Sequence, residues 1–267
     1  MTTDHSSVTQ HDGFTVRVDG GVAVVTIDRP KANAIASVTS QAMGRVFEGF
    51  EHDPAVRVAI ITGAGERFFC AGWDLGAAAD GEAFDVDNGV GGFGGFPDLP
   101  DRTVPVIAAI NGMAVGGGFE IAMAADLIVA ADHAQFFLPE AALGILPDAG
   151  AVRLHRLVPP HVARDLLLTG RRMGAAEAAT WGIVARVVPA GELLDTALAM
   201  AADIMKAAPL SVAAILDIGR RTADMDPIEA IRWIRELPAY RSAIDSEDAQ
   251  EGTLAFNEKR PPVWKGR

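Results

Sequence analysis

The sequence predicts an α/β fold, with strand–strand–helix units coiled into a largely parallel arrangement and a helical C-terminal subdomain after them. Three observations predict it. A loose unit of short apolar strands and a small apolar helix recurs at residues 22–50, 58–76 and 106–125, and again at 127–137 with 152–158. Strands that read as continuous apolar runs belong to parallel sheets covered on both faces. Within the third unit, the strand-like Val106-Ile107-Ala108-Ala109-Ile110 leads to Gly116-Gly117-Gly118-Phe119-Glu120 and then to Ile121-Ala122-Met123-Ala124-Ala125, which is a strand, a glycine turn and a buried helix. After Leu168 the pattern turns to helical periodicity.

Residues 1–12 are polar and lack the basic and apolar regions of a secretion signal, so they are expected to be a disordered tail. From Thr15 a hairpin is predicted, with Gly20-Gly21 as the turn and residues 22–27 as the return strand. Ser37 or Thr39 starts a helix to Phe50, which places Met43, Val46, Phe47 and Phe50 on one face before Asp53-Pro54 ends it. Residues 58–62 and 68–71 read as strands, and Gly72 breaks the second. Residues 77–102 carry six glycines and two prolines, from Gly81 to Pro100, and are expected to be a mobile loop. Phe93 and Phe96 give it something to bury, so it reads either as a lid or as a plain insertion. The core is assigned to residues 13–205 and the helical subdomain to 206–267. Helices are predicted at 175–181, 192–207, 210–222, 227–243 and 247–258, with Pro227 at a first helical position and Ser246 as a cap.

Composition excludes several function classes. The net charge of −12 leaves no basic footprint for nucleic acid. A single cysteine, Cys70, excludes an internal disulfide framework and fits a reducing compartment, and the six histidines show no metal-ligand spacing. The apolar window 104–125 contains Pro105, Asn111 and the glycine triplet as well as Glu120, so it reads as buried core and not as a membrane span. Cytoplasmic location follows as the expectation, with no membrane partner.

The chemistry concentrates in three stretches. Glycines let backbone approach a ligand closely, and the helix start after them leaves N–H groups without intrahelical partners, which suits an oxyanion. Glu120 sits one turn into that helix as a lone carboxylate on an apolar element. Residues 69–75, Phe-Cys-Ala-Gly-Trp-Asp-Leu, end a strand in a sharp turn that offers the Ala71 N–H as a second donor, and Glu140 follows Leu138-Pro139 in an apolar, turn-rich segment. Two carboxylates with two backbone donors make an active-site hypothesis. Cys70 has no base beside it and reads as core.

These motifs carry a resemblance. Asn111-Gly112 before Gly116-Gly117-Gly118-Phe119-Glu120, the Ala71-Gly72-Trp73-Asp74-Leu75 turn, and Pro139-Glu140 with Gly144 and Pro147 resemble the enoyl-CoA hydratase/isomerase (crotonase) family over nearly the whole chain. Residues 29–35, Thr169-Gly170-Arg171-Arg172-Met173-Gly174, Trp73 and the closing Trp264-Lys265-Gly266-Arg267 look most like its carnitinyl-CoA dehydratase branch, whose members also hydrate crotonobetainyl-CoA.

The resemblance implies a crotonase-like spiral of ββα units, trimerisation through the C-terminal helices or a dimer of trimers, an acyl-CoA substrate and no separate cofactor. It implies Glu120 and Glu140 as the acid–base pair and the N–H groups of Ala71 and Gly117 as the oxyanion hole. Lys31, Ala32, Gly72, Trp73, Asp74, Leu75, Gly116, Phe256 and Lys259 are implied as substrate contacts. Asp148 matches a carboxylate that some isomerases of the family use, so it is a candidate further acid; its plain role is to cap the helix starting near Gly150. Residues 150–156 are one residue shorter than the usual family segment, which predicts a local difference in the acyl pocket. Trp73, Phe93 and Phe96 are candidates for an aromatic wall facing a trimethylammonium group. The competing readings are a general enoyl-CoA hydratase, an enoyl- or dienoyl-CoA isomerase using Glu140 and Asp148, and a non-catalytic acyl-CoA-binding protein of the same fold.

Overall fold

The computed structural model describes residues 8–83 and 85–267. The strands are β1 (Val8–His11), β2 (Phe14–Asp19), β3 (Val22–Ile27), β4 (Val58–Gly63), β5 (Phe68–Cys70), β6 (Val106–Ile110), β7 (Met113–Val115), β8 (Leu127–Ala131), β9 (Gln135–Phe137), β10 (Met173–Gly174) and β11 (Arg186–Val188). The helices are α1 (Ser37–His52), α2 (Leu75–Ala79), α3 (Gly117–Ala124), α4 (Asp148–Leu157), α5 (Pro160–Thr169), α6 (Ala175–Thr180), α7 (Leu193–Met205), α8 (Pro209–Thr222), α9 (Pro227–Trp233), α10 (Pro238–Ile244) and α11 (Glu247–Glu258). Among the described residues no single helix is long and apolar enough to cross a membrane.

Two sheets account for the repeat seen in the sequence. Seven strands run in the order β1-β2-β3-β4-β6-β8-β11 and four in the order β10-β9-β7-β5. Three of the four units thus contribute one strand to each sheet, β4 and β5, then β6 and β7, then β8 and β9, whereas residues 22–50 give only β3, to the seven-stranded sheet. Pairing is antiparallel from β1 to β3 and parallel from β3 to β11. Every residue of β6 is buried, as a strand covered on both faces requires. Its neighbours keep the same row, with Ile60 beside Ile107 and Ile107 beside Leu127.

Residues 8–11 correct the expectation of a tail to residue 12. They pair with β2, and the His11 ring stacks on Phe14 at 4.4 Å. Residues 1–7 lie outside the described residues. Within the segment 77–102, residues 91–96 are not an open loop either. Gly91, Gly92, Gly94, Gly95 and Phe96 are buried, the Gly94 N–H donates to Ser40 Oγ at 3.2 Å, and Phe96 packs on Phe47 of α1 with ring centroids 4.9 Å apart. Small residues let the segment lie on the backbone of α1, a packing that composition does not display.

The chain divides into two compact units, one of residues 106–201 together with the segment up to Pro100, the other of residues 101–105 and 202–267. Residues 101–105 join the second unit through Arg220, which donates to Arg102 O at 2.6 Å, and Arg221, which pairs with Asp101 at 2.9 Å. The helix expected over 227–243 is interrupted, because Pro238 has no N–H and Leu237 before it is extended. The C-terminal Trp264-Lys265-Gly266 folds back onto α11. Buried Asp248 accepts from the N–H groups of Lys265 and Gly266 at 2.7 and 2.8 Å.

In the first unit, Asn111 fixes the approach to the chemistry. Its Oδ1 accepts from Gly63 N–H at 3.0 Å, and its Nδ2 donates to Gly65 O and Phe68 O at 2.8 and 3.1 Å. Asn33 donates to Ala64 O and Phe68 O from the other side. Replacing Asn111 by alanine strands these buried groups, so Asn111→Ala is expected to cost about 2–4 kcal/mol of unfolding free energy. Urea denaturation checks it; a loss under 1 kcal/mol would show that the loop is held by other means.

Candidate active site

The glycine turn after β7 positions the first carboxylate. Gly116 has φ +54°, and a Cβ there would strike the Glu140 carboxyl, so only glycine lets the turn lie against the second carboxylate. A Cβ on Gly117 would enter the Phe93 ring. Gly117 is the first residue of α3, where an N–H has no intrahelical acceptor, and it has no hydrogen-bond partner among the described residues. Glu120 follows one turn on. Its Oε1 accepts from the Gly150 N–H at 2.6 Å, in the first turn of α4.

Glu140 begins a 3-10 turn, Glu140–Leu143, just beyond β9. It is buried, and its Oε2 has no hydrogen-bond partner among the described residues. Glu120 and Glu140 line one cavity of about 230 Å³ with Ala71, Trp73, Leu75, Phe93, Gly116, Gly117 and Asp148. Burial pushes the Glu120 carboxyl up to about 7; the Gly150 N–H and Arg153 pull it down, while the charges of Asp148 and Glu140 push it further up. Glu140 is raised as well, by burial first and by Asp148, against its own backbone N–H. A neutral acid beside an ionised base is therefore accessible near neutral pH. Asp148 is not the cap of α4, since Pro147 takes that position; Asp148 is the first helical residue and accepts from the Ala149 N–H at 2.7 Å.

Ala71 lines the cavity, but its N–H donates to Ala32 O at 3.1 Å and so does not serve as the expected oxyanion donor. The strand-like continuation past β5 consumes it. The Gly72 N–H points to Cys70 Sγ at 3.3 Å. Gly72 itself, with φ +84°, packs so closely that a Cβ would lie 2.9 Å from the Gly117 nitrogen, which brings the backbone of the 72–73 turn beside the start of α3. Cys70 is fully buried, and burial pushes its thiol up to about 12. It is core.

Of the remaining expected contacts, Ala32 accepts from Ala71, and Asp74 pairs with Arg29 at 3.1 Å while receiving the Gly76 N–H. Both shape the turn. Lys31 is exposed with φ +75°. Phe256 and Lys259 belong to the C-terminal unit, where Phe256 is 84% exposed and Lys259 ends α11 in the left-handed region. Of the three aromatic candidates, Trp73 and Phe93 reach the cavity and Phe96 is core. Sequence reasoning missed Val86, Asn88, Ile145 and Leu146 as lining residues and the Gly150 N–H as the anchor of Glu120. The apolar residues after Glu140 were a signal for Ile145 and Leu146; nothing local marked the others.

The family model described as enoyl-CoA hydratase/isomerase matches residues 17–267. Carnitinyl-CoA dehydratase of Escherichia coli (strain K12) is 57% identical over 252 residues, covering 93% of this chain and 97% of that protein. Carnitinyl-CoA dehydratase of Salmonella arizonae is 57% identical over 251 residues, with 93% and 96% covered. Among solved structures, enoyl-CoA hydratase from Mycobacterium tuberculosis H37Rv superposes with TM-score 0.88 at 36% identity, covering 96% of this chain and 100% of that one. A probable enoyl-CoA hydratase/isomerase from Mycobacterium abscessus gives 0.86 at 40% identity, with 97% and 100% covered. The parallel two-sheet spiral is thus the crotonase fold, and the chain belongs to the enoyl-CoA hydratase/isomerase family.

Proposed function

We propose that the chain is a hydro-lyase of the carnitinyl-CoA dehydratase type, interconverting carnitinyl-CoA and its α,β-unsaturated dehydration product, crotonobetainyl-CoA. The observation that carries the reading is the pair of raised carboxyls, Glu120 and Glu140, in one apolar cavity beside the unengaged N–H of Gly117. The 57% identity to proteins of that name supports the acyl group. In hydration the thioester carbonyl accepts from Gly117, and the enolate oxygen that develops is held there and at the helix start. We assign the second donor to the Trp73 N–H, because the 72–73 turn lies against the Gly117 nitrogen. Each such donor contributes about 3–4 kcal/mol of transition-state stabilisation.

Water lies between the carboxyls. The ionised one takes a proton as oxygen bonds to the β-carbon, and the protonated one gives its proton to the α-carbon. The pair ends the step still holding one proton, now the one taken from water and on the other carboxyl, while the first proton has gone to the α-carbon; dehydration runs these moves backwards. Asp148 on the same cavity supports a second reading, isomerisation by proton transfer between carbons. We keep Lys31, Phe256 and Lys259 as contacts to the CoA moiety. The C-terminal helices carry exposed Ile215, Ile228, Ile231 and Leu254, which supports self-assembly as a trimer or a dimer of trimers.

Turnover of crotonobetainyl-CoA in heavy-oxygen water tests the reaction. Label in the product is expected, with Glu120→Gln and Glu140→Gln each lowering kcat about 10²- to 10⁴-fold. Isomerised product without label would move the assignment to the second reading. Sedimentation is expected to show a trimer or its dimer, and a monomer at micromolar concentration would refute the assembly.

Stability supplies an independent check of the ionisation. A carboxyl near 7 in the fold and near 4.5 in the unfolded chain binds its proton more tightly when folded. Its effect on stability is absent below pH 4.5, grows as pH rises to 7, and is a constant penalty of at most about 3 kcal/mol above that. Glu120→Gln keeps the acceptor for the Gly150 N–H without the charge. The variant is therefore expected to melt several degrees above the parent at pH 8 and level with it at pH 4.5. Equal melting at both values would mean that the carboxyl is not raised.

A further inference from the structure

The ring of Trp73 forms part of the cavity wall and is tied at its nitrogen. Nε1 donates to Glu82 Oε1 at 2.6 Å. The same carboxylate accepts from Ser37 Oγ at 2.7 Å and from the Ser37 N–H at 3.2 Å, at the start of α1, where Ala36 supplies no side-chain cap. The backbone of the turn is tied to the same place, with Ile35 N–H donating to Gly72 O and Asp74 N–H to Ile35 O. Trp73 is thus fixed at both ends, and Glu82 bridges its ring to α1.

No lysine or arginine forms an ion pair with Glu82 among the described residues. Burial works to raise the carboxyl, but the donors from Trp73 and Ser37 and the charge of Arg29 outweigh it and hold it below the usual range. It is an anion at neutral pH. An anion on the indole N–H polarises the ring and adds negative charge to its face, which strengthens attraction for a cation placed there. The rest of the lining agrees in sign. The cavity and the recess adjoining it at Phe93 carry Glu120, Glu140, Asp148 and Asp87, with Asp98 paired to Arg153 at 3.9 Å, and no lysine or arginine lines either.

We propose that Glu82 is a specificity-determining positioning residue: its hydrogen bond holds the Trp73 indole as a cavity wall and makes that wall favour a quaternary ammonium acyl group over an uncharged one. The inference rests on the hydro-lyase reading and adds the means of substrate choice. Glu82 acts through Trp73 and does not touch the reacting atoms.

Steady-state kinetics with crotonobetainyl-CoA and crotonyl-CoA test it in four variants. Glu82→Gln keeps an acceptor for the indole and removes the charge; KM for crotonobetainyl-CoA is expected to rise about tenfold with kcat within twofold, and the constants for crotonyl-CoA to stay within twofold. Glu82→Ala should add a loss of tryptophan near-ultraviolet circular dichroism as the ring is released. Ser37→Ala removes the Oγ donor to Glu82 but keeps the Glu82–Trp73 bond, and should leave the preference unchanged. Trp73→Phe keeps a ring and removes the N–H. It should lower the ratio of the two kcat/KM values as Glu82→Gln does, whatever it does to turnover itself, and adding Glu82→Gln to it should change that ratio no further.

An unchanged ratio of the two kcat/KM values in Glu82→Gln overturns the proposal, as does a Ser37→Ala variant that shifts the ratio equally. Should the Glu82 variants not fold, an unchanged ratio in Trp73→Phe overturns it too. Parent protein that hydrates crotonyl-CoA without preferring the cationic substrate overturns the proposal alone. Parent protein that hydrates neither fails the hydro-lyase reading before any variant is made.

Discussion

One hydrogen bond organises the site: the Gly150 N–H of α4 holds Glu120 of α3 at 2.6 Å. A carboxyl on an apolar helix needs a partner in a place that water does not fill freely, and a helix start supplies one at the end of the dipole that favours negative charge. The bond is not strong enough to keep Glu120 fully ionised, because burial and the neighbouring Asp148 and Glu140 oppose it. That balance leaves the group near 7, where it can both hold and release a proton. A stronger partner, such as an arginine directly on Glu120, would have made a stable ion pair with no acid–base use.

Close packing of backbone explains why so much of the site is glycine. The turn at Gly116 lies against the Glu140 carboxyl, Gly117 against Phe93, and Gly72 against Gly117. Any Cβ at these places would separate groups that have to share one substrate atom. The two sheets make the approach possible. Three units each send one strand into each sheet, and the crossings from β5 to α2 and from β7 to α3 come side by side because β5 pairs with β7.

Much of this was legible in the sequence for physical reasons. Residues 106–110 are apolar without alternation, which is the mark of a strand buried on both faces, and β6 is that strand. Glu120 stood out because a single charge in an apolar helix has to be explained. The errors have physical causes too. The Ala71 N–H was expected to be open, but the Ala32 carbonyl, thirty-nine residues back in the chain, takes it. Phe96 and its glycines read as either a lid or a plain insertion, but they pack on α1. Pro238 splits the helix expected over 227–243, because it has no N–H to donate and holds Leu237 extended.

The sequence by itself determined the repeating unit, the two carboxylates and the glycine turn, since those depend on periodicity, local backbone freedom and residue chemistry, all of which are written within a few neighbouring positions. Only the tertiary structure decided which backbone donor is available, what anchors Glu120 and what holds Trp73. The partners in these cases are Ala32, Gly150 and Glu82. A backbone N–H is the same group at every position and a surface-type glutamate is common, so neither announces its partner until the chain has folded and distance has chosen one.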